Sequence, residues 1–313
     1  MKTVSILIPC YNEEPNIVSI YNALVAIIDK CNDYLWEIMF VNDGSQDNTL
    51  EQIKSIGKED SRVSYVSLSR NFGKENALLA GFDYICGNCV IIIDADLQHP
   101  PHLIHEMLKY WEEGYDDVYA QRNSRGKESW LRRKFSIGYY RLLQKMTKID
   151  ILPNVGDFRL LDRRCIDALK RLRETQRYNK GLYCWIGFKK KKIAFNQGDR
   201  TQGKSSFNYY RLFNLAIEGI TSYTTAPLRI STIVGMIVSL TAFLYMCFIL
   251  VKTILYGDPV KGYPTLIIII LFLGGIQLVS LGIIGEYLGR IFYETKNRPV
   301  YIINEISAKI NHD

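Results

Sequence analysis

The chain has 313 residues, a net charge of +7 and seven cysteines. That length suits one large domain with something smaller, or two domains. The odd, irregularly spaced cysteines argue against a disulfide framework and for free thiols in a reducing compartment, and the basic clusters at 122–148 and 189–192 lack the zinc-finger and RNP signatures of nucleic-acid binding.

Residues 4–9 (VSILIP) are β-formers stopped by a proline, a short strand. No long apolar leader precedes it, so the N-terminal part is expected in the cytosol. A turn over 10–16 leads to Ile17, Ile20, Leu24 and Ile27/Ile28 at helical spacing. The second strand, 36–41, ends in a loop rich in turn and cap residues, and a helix starts near Thr49. Residues 63–68 form a third strand and 70–74 a loop. A helix carrying Leu78, Leu79 and Phe82 follows. Residues 86–89 (CGNC) have no second cysteine pair for a zinc site and read as a tight turn.

Four branched apolar residues, 90–93, read as a buried strand central in a parallel sheet. Asp94 and Asp96 end it, and strand alternation would put them on one face. Two neighbouring carboxylates repel unless a cation lies between them. An all-oxygen site of this kind suits Mg2+ or Mn2+, with substrate phosphate completing the shell. His99, His102 and His105 drift around a helix and read as solvated positions.

Strand and helix alternate four times in the first 110 residues, which predicts a doubly wound α/β sheet. Ligands of such sheets bind at the carboxyl ends of the strands. Those ends carry Tyr11, Asn12 and Glu13; Asp43; Lys74; and Asp94 and Asp96, so four loops bring polar groups to one edge.

Beyond residue 110, residues 117–120 predict a strand with Arg122 at its end. Segment 127–148 interleaves basic and aromatic residues, an amphipathic helical region. Residues 156–162 read as a loop entering a strand, with a helix from about 163. The polar, basic segment 198–206 reads as a loop that closes on phosphate. Residues 207–225 are amphipathic and aromatic, as at a membrane interface. Two uncharged stretches, 230–251 and 265–285, are each long enough to cross a hydrocarbon core of roughly 30 Å. The positive-inside rule puts both flanks of this hairpin in the cytosol. Gly274, Gly275, Gly282 and Gly285 would permit close helix packing, and residues 298–303 would add an extended strand to the cytosolic domain.

Residues 8–13 (IPCYNE), 41–45 (VNDGS), 71–74 (NFGK), 94–98 (DADLQ) and 156–160 (GDFRL), in this order, resemble the motifs of family 2 glycosyltransferases. With the C-terminal hairpin, the chain resembles the polyprenyl-phosphate glycosyltransferases: bactoprenol glucosyltransferases and, more distantly, dolichol-phosphate mannose synthases. The resemblance covers nearly the whole chain. It implies a GT-A fold over 1–205, amphipathic interfacial helices over 206–228, a transmembrane hairpin over 229–289 and a cytosolic tail over 290–313.

The resemblance also implies an inverting enzyme in a bacterial cytoplasmic membrane, assembled as a tetramer, with a nucleotide-sugar donor, a divalent metal and a polyprenyl-phosphate acceptor. Pro9, Tyr11, Asn12, Glu13 and Asp43 would hold the nucleoside. Asp94 would lie near the ribose and the metal, and Asp96 and Gln98 would bind the metal and the diphosphate. Arg122, Arg200 and Lys204 would face the donor phosphates. Arg132, Arg133 and Ser136 would receive the lipid phosphate. Asp157 stands where the family's catalytic base is expected. Residues 156–163 and 179–187 resemble the bacterial glucosyltransferase branch and favour UDP-glucose; UDP-GlcNAc, UDP-galactose, a UDP-aminoarabinose derivative and GDP-mannose are the alternative donors. A processive polysaccharide synthase would need a Gln-x-x-Arg-Trp motif and more spans. A non-catalytic adaptor would be expected to have lost the acidic pair or Asp157.

Overall fold

A computed structural model describes residues 1–122, 155–175, 177–195, 226–256 and 262–307. The chain divides into two units, Met1–Asn208 with Arg298–Asp313, and Tyr209–Asn297.

The first unit is built on one eight-stranded sheet in the order β7-β5-β6-β4-β1-β2-β3-β8. Its first half runs β1 (Lys2–Cys10), α1 (Glu14–Ile28), β2 (Tyr34–Asn42), α2 (Thr49–Glu59), β3 (Val63–Leu68), α3 (Lys74–Tyr84), β4 (Cys89–Ile92) and α4 (Leu103–Glu112). β5 (Asp117–Arg122), β6 (Val155–Asp162), α5 (Arg163–Arg171), α6 (Asn179–Trp185) and β7 (Lys190–Phe195) follow, and β8 (Ile303–Ile306) comes from the tail. β1, β2 and β4 are apolar on both faces because helices cover both, and Ile6, Phe40 and Ile91 are fully buried. Helix α1 turns Ile17, Ile20, Leu24 and Ile28 to the sheet, as their spacing predicts.

The pairings β1–β2, β1–β4, β2–β3 and β5–β7 are parallel, as a doubly wound sheet requires. Two strands depart from this: β8 at the edge, and β6, antiparallel to both β4 and β5. Its register pairs Ile92 with Arg159. Carried two residues further, that register sets Asp94, just past the end of β4, beside Asp157 near the start of β6. Residues 156–157, expected in a loop, already belong to this strand. β8 closes the β3 edge antiparallel, a few residues later than the 298–303 expected. An edge strand left bare is a pairing hazard. Side chains lock this one: Tyr301 donates its hydroxyl to Asp83 at 2.5 Å, and Lys54 pairs with Glu305 at 2.8 Å.

In the second unit, α7 (Ala226–Tyr256) and α8 (Tyr263–Thr295) span the two apolar stretches. α8 runs past the expected end at Gly285 through an Arg290–Glu286 pair. Among the described residues, Phe272–Thr295 is long and apolar enough to cross a membrane, and Ile230–Tyr245 is a shorter apolar stretch. Among the described residues, a Cβ placed on Gly274, Gly275, Gly282 or Gly285 would meet nothing within 4 Å. Gly275 lines an apolar groove with Ile230, Ser231 and Val234 of α7.

Beneath the β5–β6 pairing, Asp117 and Arg159 form a buried ion pair at 3.1 Å, and the guanidinium lies 3.9 Å over the Tyr183 ring. Breaking one partner of such a pair leaves an uncompensated charge, at a cost of about 3–5 kcal/mol. Asp117→Asn is expected to lower stability by about that amount in denaturant unfolding. The double variant Asp117→Leu/Arg159→Met should recover most of it.

Candidate active site

Each strand end at the β1–β2–β4 edge is held by a neighbouring loop. Asn12, in the left-handed region at φ 54, accepts the Gln46 N–H at 2.8 Å and donates its own N–H to Ser45 Oγ at 3.0 Å. The Glu13 N–H donates to Thr49 Oγ1 at 2.9 Å. Asp43 is buried, and its two oxygens accept the Phe72 and Gly73 N–H groups at 2.7 and 2.9 Å. Burial raises the Asp43 pKa, against the pull of those amides and of Arg70. Gly44 must be glycine: at φ 66, a Cβ would sit 2.4 Å from the Arg70 backbone. Asp43 therefore fastens the loop that presents Lys74. Pro9 lies within β1, and Tyr11 is exposed beside this rim.

At the centre, Lys74 Nζ lies 2.6 Å from Asp94 Oδ1 and 2.8 Å from Asp157 Oδ2. The ammonium is 40% exposed; partial desolvation works against it, but the two carboxylates outweigh this and raise its pKa. Burial alone would raise Asp157; Lys74, Lys180 and Arg159 outweigh it and hold the carboxyl below its usual range. Asp157 is thus a buried carboxylate, and among the described residues its Oδ1 has no hydrogen-bond partner.

β4 ends at Ile92, so Asp94 and Asp96 lie in a turn and strand alternation does not place them. The turn carries Leu97 at φ 57, an unfavourable conformation for a bulky residue and a form of strain that concentrates at functional sites. Asp96 Oδ1 accepts the Gln98 N–H at 3.1 Å, and among the described residues Asp96 makes no ion pair. Burial raises the Glu13 pKa, and the Asp96 and Asp94 charges add to it despite a bond from Asn16.

The donor set fits a hard divalent cation. Asp96 and Gln98 offer oxygens, while one Asp94 oxygen is taken by Lys74. No cluster of three or more His, Cys, Asp or Glu residues able to hold a metal occurs among the described residues. Such a site suits Mg2+ or Mn2+, which keep waters and take substrate phosphate as ligands.

His99 is buried, not solvated. It stacks on Phe158 with ring centroids 5.1 Å apart, and its Nδ1, 4.0 Å from Asp94 Oδ2, has no hydrogen-bond partner among the described residues. Burial lowers its pKa, and the Arg122 charge adds to this against Asp94, so the ring is neutral near pH 7. Arg122 ends β5 opposite Phe195, whose ring meets His99 edge-on. His102 and His105 are exposed, as expected. Glu75, absent from any motif-based expectation, joins the cluster: its Oε2 accepts the Asn179 N–H at 3.0 Å. An acid in a helix's first turn ordinarily reads as a dipole partner, so nothing in the sequence singles it out. Arg132, Arg133, Ser136, Arg200 and Lys204, with the segments 127–148, 198–206 and 207–225, lie outside the described residues.

The sequence model described as Glycosyl transferase family 2 matches residues 5–170, and one described as GtrB C-terminal hairpin matches residues 226–291. The chain is 46% identical to a glycosyltransferase of Synechocystis sp., over 97% of this chain and 95% of that protein. It is 42% identical to the SfII prophage-derived bactoprenol glucosyl transferase of Shigella flexneri, over 96% of this chain and 97% of that one. Identity to the prophage bactoprenol glucosyl transferase homolog of Escherichia coli is 41%, over 97% and 99% of the two chains.

The Lys74 bridge has a signature in pH. Because the Asp157 carboxyl is held low, the bridge's stabilisation is present above the ordinary Asp pKa of about 3.9 and is lost as pH falls through the depressed value. In Lys74→Met, the melting temperature of detergent-solubilised protein should fall at pH 7, with the gap to wild type narrowing towards pH 3. A gap independent of pH would mean the bridge contributes nothing electrostatic.

Proposed function

The chain belongs to glycosyl transferase family 2 and carries the GtrB-type hairpin, and on that premise we propose that it transfers glucose from UDP-glucose to polyprenyl phosphate, with inversion, at the cytosolic face of a bacterial membrane. The observation that carries this reading is the meeting of the Asp94–Gln98 turn with Asp157 through Lys74, between loops that form one pre-tied rim. The glucosyl donor and the polyprenyl acceptor follow relatives named bactoprenol glucosyl transferase. The apolar stretch of α8 and the matched hairpin support a membrane-bound, multi-pass chain.

In this reading Pro9, Tyr11, Asn12, Glu13 and Asp43 form the nucleoside end of the site, Asp43 by holding the Lys74 loop in place. Asp96 and Gln98, with Asp94, hold Mg2+ or Mn2+, which when bound would offset the charge of the leaving diphosphate. Arg122, Arg200 and Lys204 turn positive charge to the same phosphates, stabilising the transition state more than the ground state. Arg132, Arg133 and Ser136 receive the acceptor phosphate.

Asp157 acts by position. A phosphate monoester is mostly ionised near pH 7, since its second pKa is about 6, so the nucleophile has little proton to lose. A carboxylate already paired with Lys74 and held at low pKa is also a poor base. Asp157 instead orients Lys74 and the groups that meet the sugar and the acceptor.

Purified protein incubated with polyprenyl phosphate, Mg2+ or Mn2+ and a panel of labelled nucleotide sugars should give lipid-extractable label from UDP-glucose. Label from no donor would sink the enzyme reading. Asp96→Asn should cost roughly 10²-fold or more in metal-dependent turnover, the scale of losing one transition-state electrostatic contact. Asp157→Asn should abolish turnover while UDP-glucose affinity, read by calorimetry, stays nearly unchanged; lost donor affinity would contradict the orienting role.

A further inference from the structure

His99 follows Gln98 directly, in the loop that Pro100 and Pro101 keep out of α4. Its ring is almost wholly buried and is held on several sides. Phe158 stacks on one face with the planes 19° apart, and Phe195 meets it edge-on with centroids 6.3 Å apart. On the Nε2 side, a Cβ built on Gly156 would lie 3.6 Å away. None of this packing calls for a nitrogen, since a phenylalanine would stack on Phe158 as well. The Nδ1 corner faces Asp94 Oδ2 at 4.0 Å, and among the described residues that nitrogen has no hydrogen-bond partner. A buried polar atom left without a partner is costly and rare in folded proteins, so it calls for an explanation. Asp94 supplies one. Its Oδ1 accepts from Lys74 Nζ at 2.6 Å, which leaves Oδ2 to be fixed. The gap is about 1 Å longer than an N–H···O bond of about 2.9–3.0 Å. The ring is confined, but Asp94 stands in a turn past the end of β4 and is partly exposed, so a small rotation of its carboxylate closes the gap.

We propose that His99 is a positioning residue for the metal site: its Nδ1–H bonds Asp94 Oδ2 when a divalent cation occupies the Asp94–Gln98 turn, so that the carboxylate is held at both oxygens. This rests on the metal-dependent transferase reading above. Each carboxylate oxygen has two lone pairs, so Asp94 takes Lys74 on one oxygen and His99 on the other and still offers both to a cation. Outer groups that orient a ligand in this way raise metal affinity. The role needs the proton on Nδ1 and does not depend on the charge of the ring.

The test uses the full-length, detergent-solubilised chain with UDP present and reads Mn2+ binding by electron paramagnetic resonance, so no turnover is needed. His99→Phe keeps the stack on Phe158 and removes the donor. His99→Asn loses the stack but keeps an amide nitrogen as many bonds from the backbone as Nδ1. Mn2+ affinity should fall roughly 10-fold in His99→Phe and recover most of that loss in His99→Asn, although the melting temperature falls further in the Asn variant. Wild-type Mn2+ affinity in His99→Phe, or an affinity that follows melting temperature across the variants, would overturn the proposal, as would a wild type that binds no Mn2+. If His99→Phe does not fold, the ring itself is read. With His102, His105 and His312 replaced by Gln, His99 is the single imidazole of the chain. Its nitrogen-15 chemical shifts should show the proton on Nδ1, and that resonance should move when Mg2+ and UDP are added. A bare Nδ1, or one that does not respond, would equally overturn the proposal. Mn2+ binding that depends on His99 in a protein without turnover on any donor would instead count against the transferase reading and leave the His99 role intact.

Discussion

One ammonium group holds the centre of this molecule. Lys74 opens α3, Asp94 follows β4 and Asp157 starts β6, so three elements meet on a single Nζ at 2.6 and 2.8 Å. Without it, two carboxylates crowded at the end of a buried strand would repel, and the buried member would take up a proton. With it, Asp157 stays ionised despite its burial. The antiparallel entry of β6 beside β4 makes the meeting possible, because it sets the start of one strand against the end of the other. A wholly parallel sheet would have carried Asp157 to the opposite edge.

Around that centre, the polar residues of the rim spend their hydrogen bonds on one another. Asn12 and Ser45, Glu13 and Thr49, and Asp43 with Phe72 and Gly73 tie loops that are distant in sequence. Such ties fix dipoles and charges before substrate arrives, which is where electrostatic catalysis gains most. Positive φ at Asn12 and Leu97 is a cost of that arrangement. The tail contributes from the far edge: β8 pairs with β3, and Asp83 at the end of α3 accepts both Tyr301 and the Arg173 fork. The helix that carries Lys74 and Glu75 is thereby held at its other end too.

Much of this was legible in advance. The strand at 63–68, the helix start at Thr49 and the buried run at 90–92 stand where β-branched runs, caps and periodicity put them. The errors have local causes. Pro100 and Pro101 delay α4 to Leu103, so His99 belongs to a buried loop and not to the helical series of His102 and His105. β4 stops before Asp94, so alternation cannot orient the acidic pair.

What the sequence by itself determined is the set of strands and helices, the strand ends that carry polar groups, and the family, since periodicity, turn chemistry and ordered motifs are properties of neighbours along the chain. The tertiary structure alone decided that Lys74 bridges Asp94 and Asp157, that His99 is buried and neutral, and that Glu75 shares the site. Each depends on which residues, far apart in sequence, are brought within a few ångströms. There charges interact strongly, and no local pattern records their distance.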